Sequence, residues 1–247
     1  MARDRTPLRL RRRRRLLAVA VATLTLGGAA LAEIPASAAT KPRGHDVSSH
    51  QGNVDWSKAK SKGAKFVYVK ATESTTYRNP YFAQQYTGSF KAGLLHGAYH
   101  FALPHRSSGK TQARYFVKHG GNWSRDGRTL PPAVDLENNP YGSRCYGLSR
   151  TRMVSWIRSF SNEVKRKTGR RPVIYTTARW WNDCTGRSKA FGHNHALWLA
   201  RWGSSPGSLP AGWSYWSFWQ RSNSGSLPGD QDTWNGSLKQ LKRFARG

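Results

Sequence analysis

The tripeptide Asp135-Leu136-Glu137 places two carboxylates two residues apart in a chain in which only 12 of 247 residues are Asp or Glu. In a β-strand, residues i and i+2 point to the same face and lie about 6 to 7 Å apart. Two carboxyl groups at that spacing repel each other when both are ionised, which raises one pKa and leaves a proton donor beside an anion. Cleavage of a glycosidic bond uses such a pair, because an acid protonates the leaving oxygen while an anion supports the oxocarbenium-like transition state.

The flanking residues indicate where this pair lies. Two prolines at 131–132 mark a loop, Ala133 and Val134 favour a strand, and the segment 138–140 is a turn signal. We therefore expect a short buried strand over residues 133–137 with the acids at its C-terminal end. A solvated turn or a salt-bridged strand end would also accommodate this pattern.

Apolar strand-like runs alternate with amphipathic segments along the chain, which predicts a modified parallel β/α barrel of about eight strands. After residue 176 the spacers are too short or too rich in Gly, Asn and Ser for full helices, so helices are expected to be missing in the last part. The predicted helices cover 54–62, 81–92, 108–119 and 149–168, the last with Ser149 as N-cap and Gly169 as stop. The predicted strands are 45–47, 66–70, 96–102, 133–137, 173–176, 196–202, 215–220 and a short one near Asp232.

In such barrels the active site gathers at the C-terminal strand ends, which singles out further side chains. Asp46 could lie across the barrel mouth from the acid pair. The candidates for substrate contact are Glu73, Tyr99, Phe101, Tyr175, Trp198 and Trp219. Each could instead have a structural role, Glu73 as an ion-pair partner and Tyr99 and Phe101 in packing.

The amino terminus has the layout of a secretory signal peptide. Arginines at position 9 and at 11–15 precede an apolar run over 16–31, and Ala36-Ser37-Ala38 is a cleavage motif. The run is shorter than the ~20 residues that a membrane span needs. We expect residues 1–38 to be removed, and residues 39–247 to be secreted as a single catalytic domain without a membrane span.

Charge indicates the type of partner. Removal of residues 1–38 takes away eight arginines and two acids, which changes the formal net charge from +29 to +23. Such a charge favours an anionic polymer, and for a secreted protein a cell-wall polymer is expected. The basic residues are scattered and form no recognised nucleic-acid motif, so nucleic acid is not expected as a partner. We expect a monomer.

Two cysteines remain after export, and in an oxidising compartment they are expected to pair. A disulfide between Cys145 and Cys184 would close a loop of about 40 residues and stabilise the fold by roughly 4 kcal/mol. Neither these cysteines nor the lone pair His193-x-His195 has the spacing of a metal site, so no metal or cofactor is expected.

Several motifs in order resemble glycoside hydrolase family 25, the Chalaropsis and Streptomyces type lysozymes. The opening motif is Gly44-His45-Asp46-Val47-Ser48-Ser49-His50-Gln51-Gly52 with Asp55-Trp56. The resemblance continues through the motifs at 66–73, 97–101, 135–137, 172–176, 197–202 and 219–220, and it covers residues 43 to 236.

The resemblance implies a modified β/α barrel and an N-acetylmuramidase that cleaves the β-1,4 bond between N-acetylmuramic acid and N-acetylglucosamine in peptidoglycan, with net retention. By motif match, Glu137 is the general acid, and Asp135 stabilises the transition state or orients the substrate N-acetyl group. Asp46 matches the first-strand aspartate of the family. Asp232 matches its late aspartate, with Asp230 as the alternative.

Two other functions compete with this interpretation. A family 18 chitinase would carry the longer pattern D-x-x-D-x-D-x-E, but Leu130 and Ala133 occupy its upstream acidic positions. A non-catalytic wall-binding module would suit the eleven tryptophans and the positive charge but needs no carboxylate pair.

Overall fold

Eight β-strands close into a barrel in a computed structural model that describes residues 1–2 and 40–247, and a ninth short strand extends the sheet. The strands are β1 (Arg43–Val47), β2 (Phe66–Glu73), β3 (Tyr77–Arg78), β4 (Leu95–Phe101), β5 (Ala133–Asp135), β6 (Val173–Thr176), β7 (Leu197–Ala200), β8 (Phe218–Ser222) and β9 (Asp230–Trp234). The barrel that the sequence predicts is confirmed.

The order around the barrel is β1, β2, β4, β5, β6, β7, β8 and β9, and all pairs are parallel except the two that involve β9. β9 is antiparallel to β8 and β1, a reversal that the sequence analysis does not predict. The connection over 223–229 is too short for the crossover of a dozen or more residues that a parallel neighbour needs. β3 is antiparallel to the end of β2, next to the barrel mouth.

Six α-helices are present in the described part of the chain. They are α1 (Trp56–Ser61), α2 (Phe82–Lys91), α3 (Gly109–Lys118), α4 (Arg150–Thr168), α5 (Ala178–Thr185) and α6 (Leu238–Arg246). The sequence predicts the first four, and Ser149 and Gly169 cap α4 as expected. No helix lies between β7 and β9 in this region, as expected of a barrel with helices missing in its last part, but the sequence analysis does not predict the short helices α5 and α6.

The two unexpected helices are fixed by local capping. The side chain of Thr177 accepts a hydrogen bond from the Trp180 amide at the start of α5, and Gly186 ends that helix with a φ of 66°. Ser237 and Gln240 form a reciprocal capping box at the start of α6. Such caps satisfy the free amides of a short helix, so α5 and α6 form despite their polar flanks.

Strand alternation divides the core into two layers. Side chains such as Phe66, Tyr68 and Phe218 fill the barrel interior, while Val134 and Leu199 belong to the cluster that packs against the helices. Gly97 faces the interior, where an added Cβ would lie 2.4 Å from the Tyr68 ring. The interior below the mouth is therefore filled, which leaves the mouth for chemistry.

Strand ends differ from the sequence prediction where the hydrogen-bond ladder stops. The strand predicted over 133–137 ends at Asp135, and the one predicted over 215–220 begins at Phe218.

The predicted disulfide is confirmed: it joins Cys145, in the loop after β5, to Cys184 in α5. The predicted signal peptide lies outside the described residues, apart from positions 1–2. No described helix is long and apolar enough to cross a membrane.

Candidate active site

A cavity of about 230 Å³ opens at the barrel mouth, where the parallel strands end. β1, β2, β4, β5, β6, β7 and β8 each contribute at least one side chain, while β9, which runs the other way, contributes its first residue. The lining residues are Asp46, Ser48, His50, Gln51, Lys70, Tyr99, Phe101, Asp135, Glu137, Tyr175, Trp198, Gln220 and Asp230. The strand-end rule therefore identifies the correct face of the barrel.

Asp135 and Glu137 both line this cavity. Their neighbours Val134 and Leu136 point the other way, into the layer between sheet and helices. β5 ends at Asp135, but the Leu136 amide still donates to the Tyr175 carbonyl at 3.0 Å. This extra hydrogen bond keeps the alternation, so Glu137 points to the same side as Asp135 although it lies beyond the strand.

The electrostatic environment favours protons on this pair. Burial raises the pKa of Glu137 to about 7, with Lys70 opposing the shift and Asp230 adding to it. Burial and the charge of Glu137 raise the pKa of Asp135 well above its ordinary value, again opposed by Lys70. Burial and mutual repulsion both disfavour ionisation of the two carboxyl groups together. Such a site can donate a proton while it keeps a negative charge.

Gln220, on β8, connects side chains of β1, β6 and the segment after β7 at the cavity. Its Nε2 donates to Asp46 Oδ2 at 2.9 Å, and its Oε1 accepts from the Tyr175 hydroxyl at 3.0 Å and from Trp202 Nε1 at 3.1 Å. Burial and the charges of Asp232 and Asp230 raise the pKa of Asp46, while the Gln220 hydrogen bond lowers it. Gln220 thus favours the ionised form of Asp46.

The two late aspartates occupy different places. Asp230 lies on the cavity wall, whereas Asp232 is only 1% exposed and accepts a hydrogen bond from Trp198 Nε1 at 2.9 Å. Burial raises the pKa of Asp232 to about 8. Asp232 therefore acts on the site through Asp46 and Trp198, and Asp230 is the one that faces the cavity.

Lys70 is a cavity residue that the sequence analysis does not single out. Its Nζ lies 2.6 Å from Glu73 Oε2 and 4.7 Å from the centre of the Phe101 ring. Glu73 does not line the cavity, and its other oxygen accepts from the Tyr141 hydroxyl at 2.6 Å. Glu73 thus holds Lys70 beside the acid pair and anchors the loop that follows Glu137.

The remaining residues that the sequence predicts to contact substrate lie on two different faces of their strands. Tyr99, Phe101, Tyr175 and Trp198 line the cavity, as their inward alternation requires. Trp219 points outward, packs beside Trp216 and donates to the Arg201 carbonyl. The predictions also miss cavity residues at Ser48, His50 and Gln51. These residues lie in the first motif, directly after Asp46, and their position after a strand end could have identified them.

Among residues 40–247 no group of three or more His, Cys, Asp or Glu side chains is placed to hold a metal ion. His195 of the motif His193-x-His195 is buried and forms hydrogen bonds with Ser161 and with the Phe191 carbonyl. It is a core histidine.

Comparisons with known proteins agree with this geometry. A family model described as glycosyl hydrolases family 25 matches residues 45–230. An N,O-diacetylmuramidase of Arthroderma benhamiae is 46% identical over 223 residues, which are 89% of this chain and 94% of that protein. Lysozyme M1 of Streptomyces globisporus is 47% identical over 208 residues, 82% of this chain and 71% of the relative. The structure of a family GH25 lysozyme from Aspergillus fumigatus superposes with a TM-score of 0.83 at 51% identity, covering 84% of this chain and all of that one.

Proposed function

The chain belongs to glycosyl hydrolase family 25, and we propose that it is a lysozyme that hydrolyses peptidoglycan as a muramidase. The bond cleaved is the β-1,4 linkage from N-acetylmuramic acid to N-acetylglucosamine, with net retention of configuration. Relatives named muramidase or lysozyme at 46–47% identity support this activity. The structural observation that carries the proposal is the pair Asp135 and Glu137, which face one cavity and whose pKa values are raised by burial.

Glu137 is assigned as the general acid. It is less buried than Asp135 and therefore better placed to meet the glycosidic oxygen of a bound chain. A pKa near 7 keeps a large fraction protonated in weakly acidic and neutral solution. Glu137 gives its proton to the leaving sugar as the glycosidic bond breaks, and as a carboxylate it then takes a proton from the attacking water.

Asp135 is assigned to the substrate N-acetyl group. Its Oδ1 is buried and has no hydrogen-bond donor among the described residues. A buried acceptor without a partner costs roughly 1–3 kcal/mol, and an amide N–H of the substrate would satisfy it. That contact would turn the N-acetyl carbonyl oxygen toward the anomeric carbon, while the Asp135 carboxylate stabilises the positive charge that develops there.

Asp46 and Asp230 are assigned to the opposite side of the cavity. In the strand order, β9 lies directly across the barrel from β5, and β1 is its neighbour. A sugar ring bound between the two sides would place Asp135 and Glu137 on one side and Asp46 and Asp230 on the other. Carboxyl groups there can accept hydrogen bonds from sugar hydroxyls and stabilise the cationic transition state.

Digestion of purified peptidoglycan tests the proposed bond specificity. The new reducing ends are identified after borohydride reduction and acid hydrolysis. Reduced muramic acid supports a muramidase, whereas reduced glucosamine would assign cleavage to the other linkage. A Glu137→Gln protein prepared in parallel controls for contaminating hydrolases, because it retains the fold and the charge distribution of the surface.

Export is part of the proposal, because the substrate lies outside the cell membrane. The signal-like segment 1–38 supports it. Mass measurement of the protein recovered from culture medium tests it. A first residue within about three positions of Ala39 is expected, and retention of residues 1–30 would contradict export by cleavage.

A further inference from the structure

The cavity is small compared with the polymer that the proposed function requires. Its volume of about 230 Å³ is below the roughly 300–1,000 Å³ of ordinary ligand pockets. Most of a glycan strand must therefore lie outside the cavity, across the rim of the barrel mouth. Any side chain that binds those outer sugars has to be exposed and yet held in place.

Trp202 meets both conditions on one side of the mouth. Its side chain is 58% exposed, and it follows β7 in the alternation of Trp198 and Ala200, which both face the barrel interior. Backbone hydrogen bonds to β8 hold its neighbours on both sides. Its Nε1 donates to Oε1 of Gln220, a cavity residue. The indole is therefore fixed at its polar end beside the site, while its apolar face remains open to solvent.

Tyr141 has the same arrangement in the loop after Glu137. Its side chain is 62% exposed, and its hydroxyl donates at 2.6 Å to Glu73, which in turn holds the cavity residue Lys70. The Tyr141 amide also donates to the side chain of Asn139 at 3.0 Å. The ring is again fixed by its polar end and open on its face.

The strand order places these two rings on opposite sides of the cavity. Trp202 is attached at β7 and β8, and Tyr141 is attached to the end of β2 through Glu73. Counting around the eight-strand ring, these positions are three to four strands apart in one direction and four to five in the other, which is close to half the circumference.

We propose that Trp202 and Tyr141 are sugar-stacking platforms at the two ends of an extended glycan-binding cleft, so that the strand crosses the barrel mouth from one ring to the other. The proposal rests on the proposed muramidase function. The partner chemistry follows from the rings: the C–H face of a pyranose packs on an exposed aromatic face, and indole and phenol anchored by their polar atoms lose little conformational entropy on binding.

Binding of long, peptide-free glycan strands to a Glu137→Gln background tests this without turnover. Trp202→Ala and Tyr141→Ala should each weaken binding of long strands by about 10-fold, the equivalent of about 1.4 kcal/mol. A disaccharide from the same strands can reach only one rim, so at most one of the two alanine variants should weaken its binding.

Conservative variants separate the ring from its hydrogen bond. Trp202→Phe and Tyr141→Phe keep an aromatic face but lose the bond to Gln220 or Glu73, and each should stay within about 3-fold of the parent for long strands. If the phenylalanine variants lose as much as the alanine variants, an aromatic face does not contribute to binding at these positions, and the platforms are refuted. If an alanine variant does not fold, the phenylalanine variants still test whether the aromatic ring binds the glycan strand.

The matched control is Tyr215→Ala. Tyr215 is 65% exposed but precedes β8, at the end of the barrel opposite the mouth, and its removal should not change binding. If both alanine variants at the mouth bind long strands as well as Tyr215→Ala does, the extended cleft is wrong. Failure of the proposed function would give a different result. The chain with Glu137 intact would then release no muramic acid reducing ends from peptidoglycan.

Discussion

Gln220 donates a hydrogen bond to Asp46 at 2.9 Å and so joins two side chains 174 positions apart in the sequence. The same amide accepts bonds from Tyr175 and Trp202 through its other end. One neutral side chain thereby orients an aspartate, a cavity tyrosine and a rim tryptophan, which identifies it as the organising residue of this side of the site.

Gln220→Leu should therefore lower turnover by about 10- to 100-fold and lower the free energy of unfolding by roughly 1–3 kcal/mol. The reason is that Asp46 loses a donor while the Tyr175 hydroxyl and the Trp202 indole lose their acceptor. Steady-state kinetics and urea denaturation measure both quantities. Gln84→Leu is the control, because among the described residues the Gln84 side chain bonds only to the Val54 backbone, outside the cavity. Unchanged turnover in Gln220→Leu would remove Gln220 from the mechanism.

Glu137→Gln keeps the shape of the side chain but removes the transferable proton. Turnover should fall by about 10² to 10⁴ fold, the usual contribution of general acid catalysis, while binding to insoluble walls should be retained. Release of reducing ends and cosedimentation with walls measure the two properties. Activity at the level of the unmodified chain would eliminate Glu137 as the acid.

The pH profile should shift in opposite directions in two variants. Lys70 opposes the rise in the pKa of Glu137, so Lys70→Met should raise that pKa further. A protonated Glu137 is the active form, and the alkaline limb of the kcat profile should therefore move to higher pH. Asp230 adds to the rise in the pKa of Glu137, so Asp230→Asn should lower that pKa and move the alkaline limb of the residual activity to lower pH. Shifts in the same direction would contradict the assigned acid.

Salt should act on the encounter with the wall more than on the chemistry. The Debye length falls from about 10 Å at 0.1 M to about 3 Å at 1 M salt, which screens the formal charge of +23 on residues 39–247. Hydrolysis of whole walls should decrease over this range, while hydrolysis of a short glycan changes little. An equal decrease on both substrates would exclude electrostatic steering.

The disulfide should contribute to stability. Replacing both Cys145 and Cys184 by Ser should lower the free energy of unfolding by roughly 4 kcal/mol, because the unfolded chain regains the entropy of a loop of about 40 residues. Urea denaturation with and without reductant measures this, and the doubly substituted protein should not respond to reductant. If the native protein reacts with a thiol reagent at both cysteines, the pairing is wrong.

The sequence by itself determines the barrel class, four of the helices, the disulfide and the end of the barrel at which the site lies. These features follow from local patterns: hydrophobic periodicity, capping residues such as Ser149 and Gly169, and the rule that chemistry gathers where parallel strands end. The two-residue spacing of Asp135 and Glu137 also gives their common face, because the alternation continues one residue past β5.

Only the tertiary structure decides what depends on partners distant in sequence. Trp219 and Gln220 are neighbours within β8, but alternation places the tryptophan in the outer core and the amide against Asp46. The position of Asp230 on the cavity wall depends on the antiparallel direction of β9, which brings the start of that strand to the barrel mouth. The pKa values of the acids likewise depend on burial, which is a property of the closed barrel and is absent from any local segment.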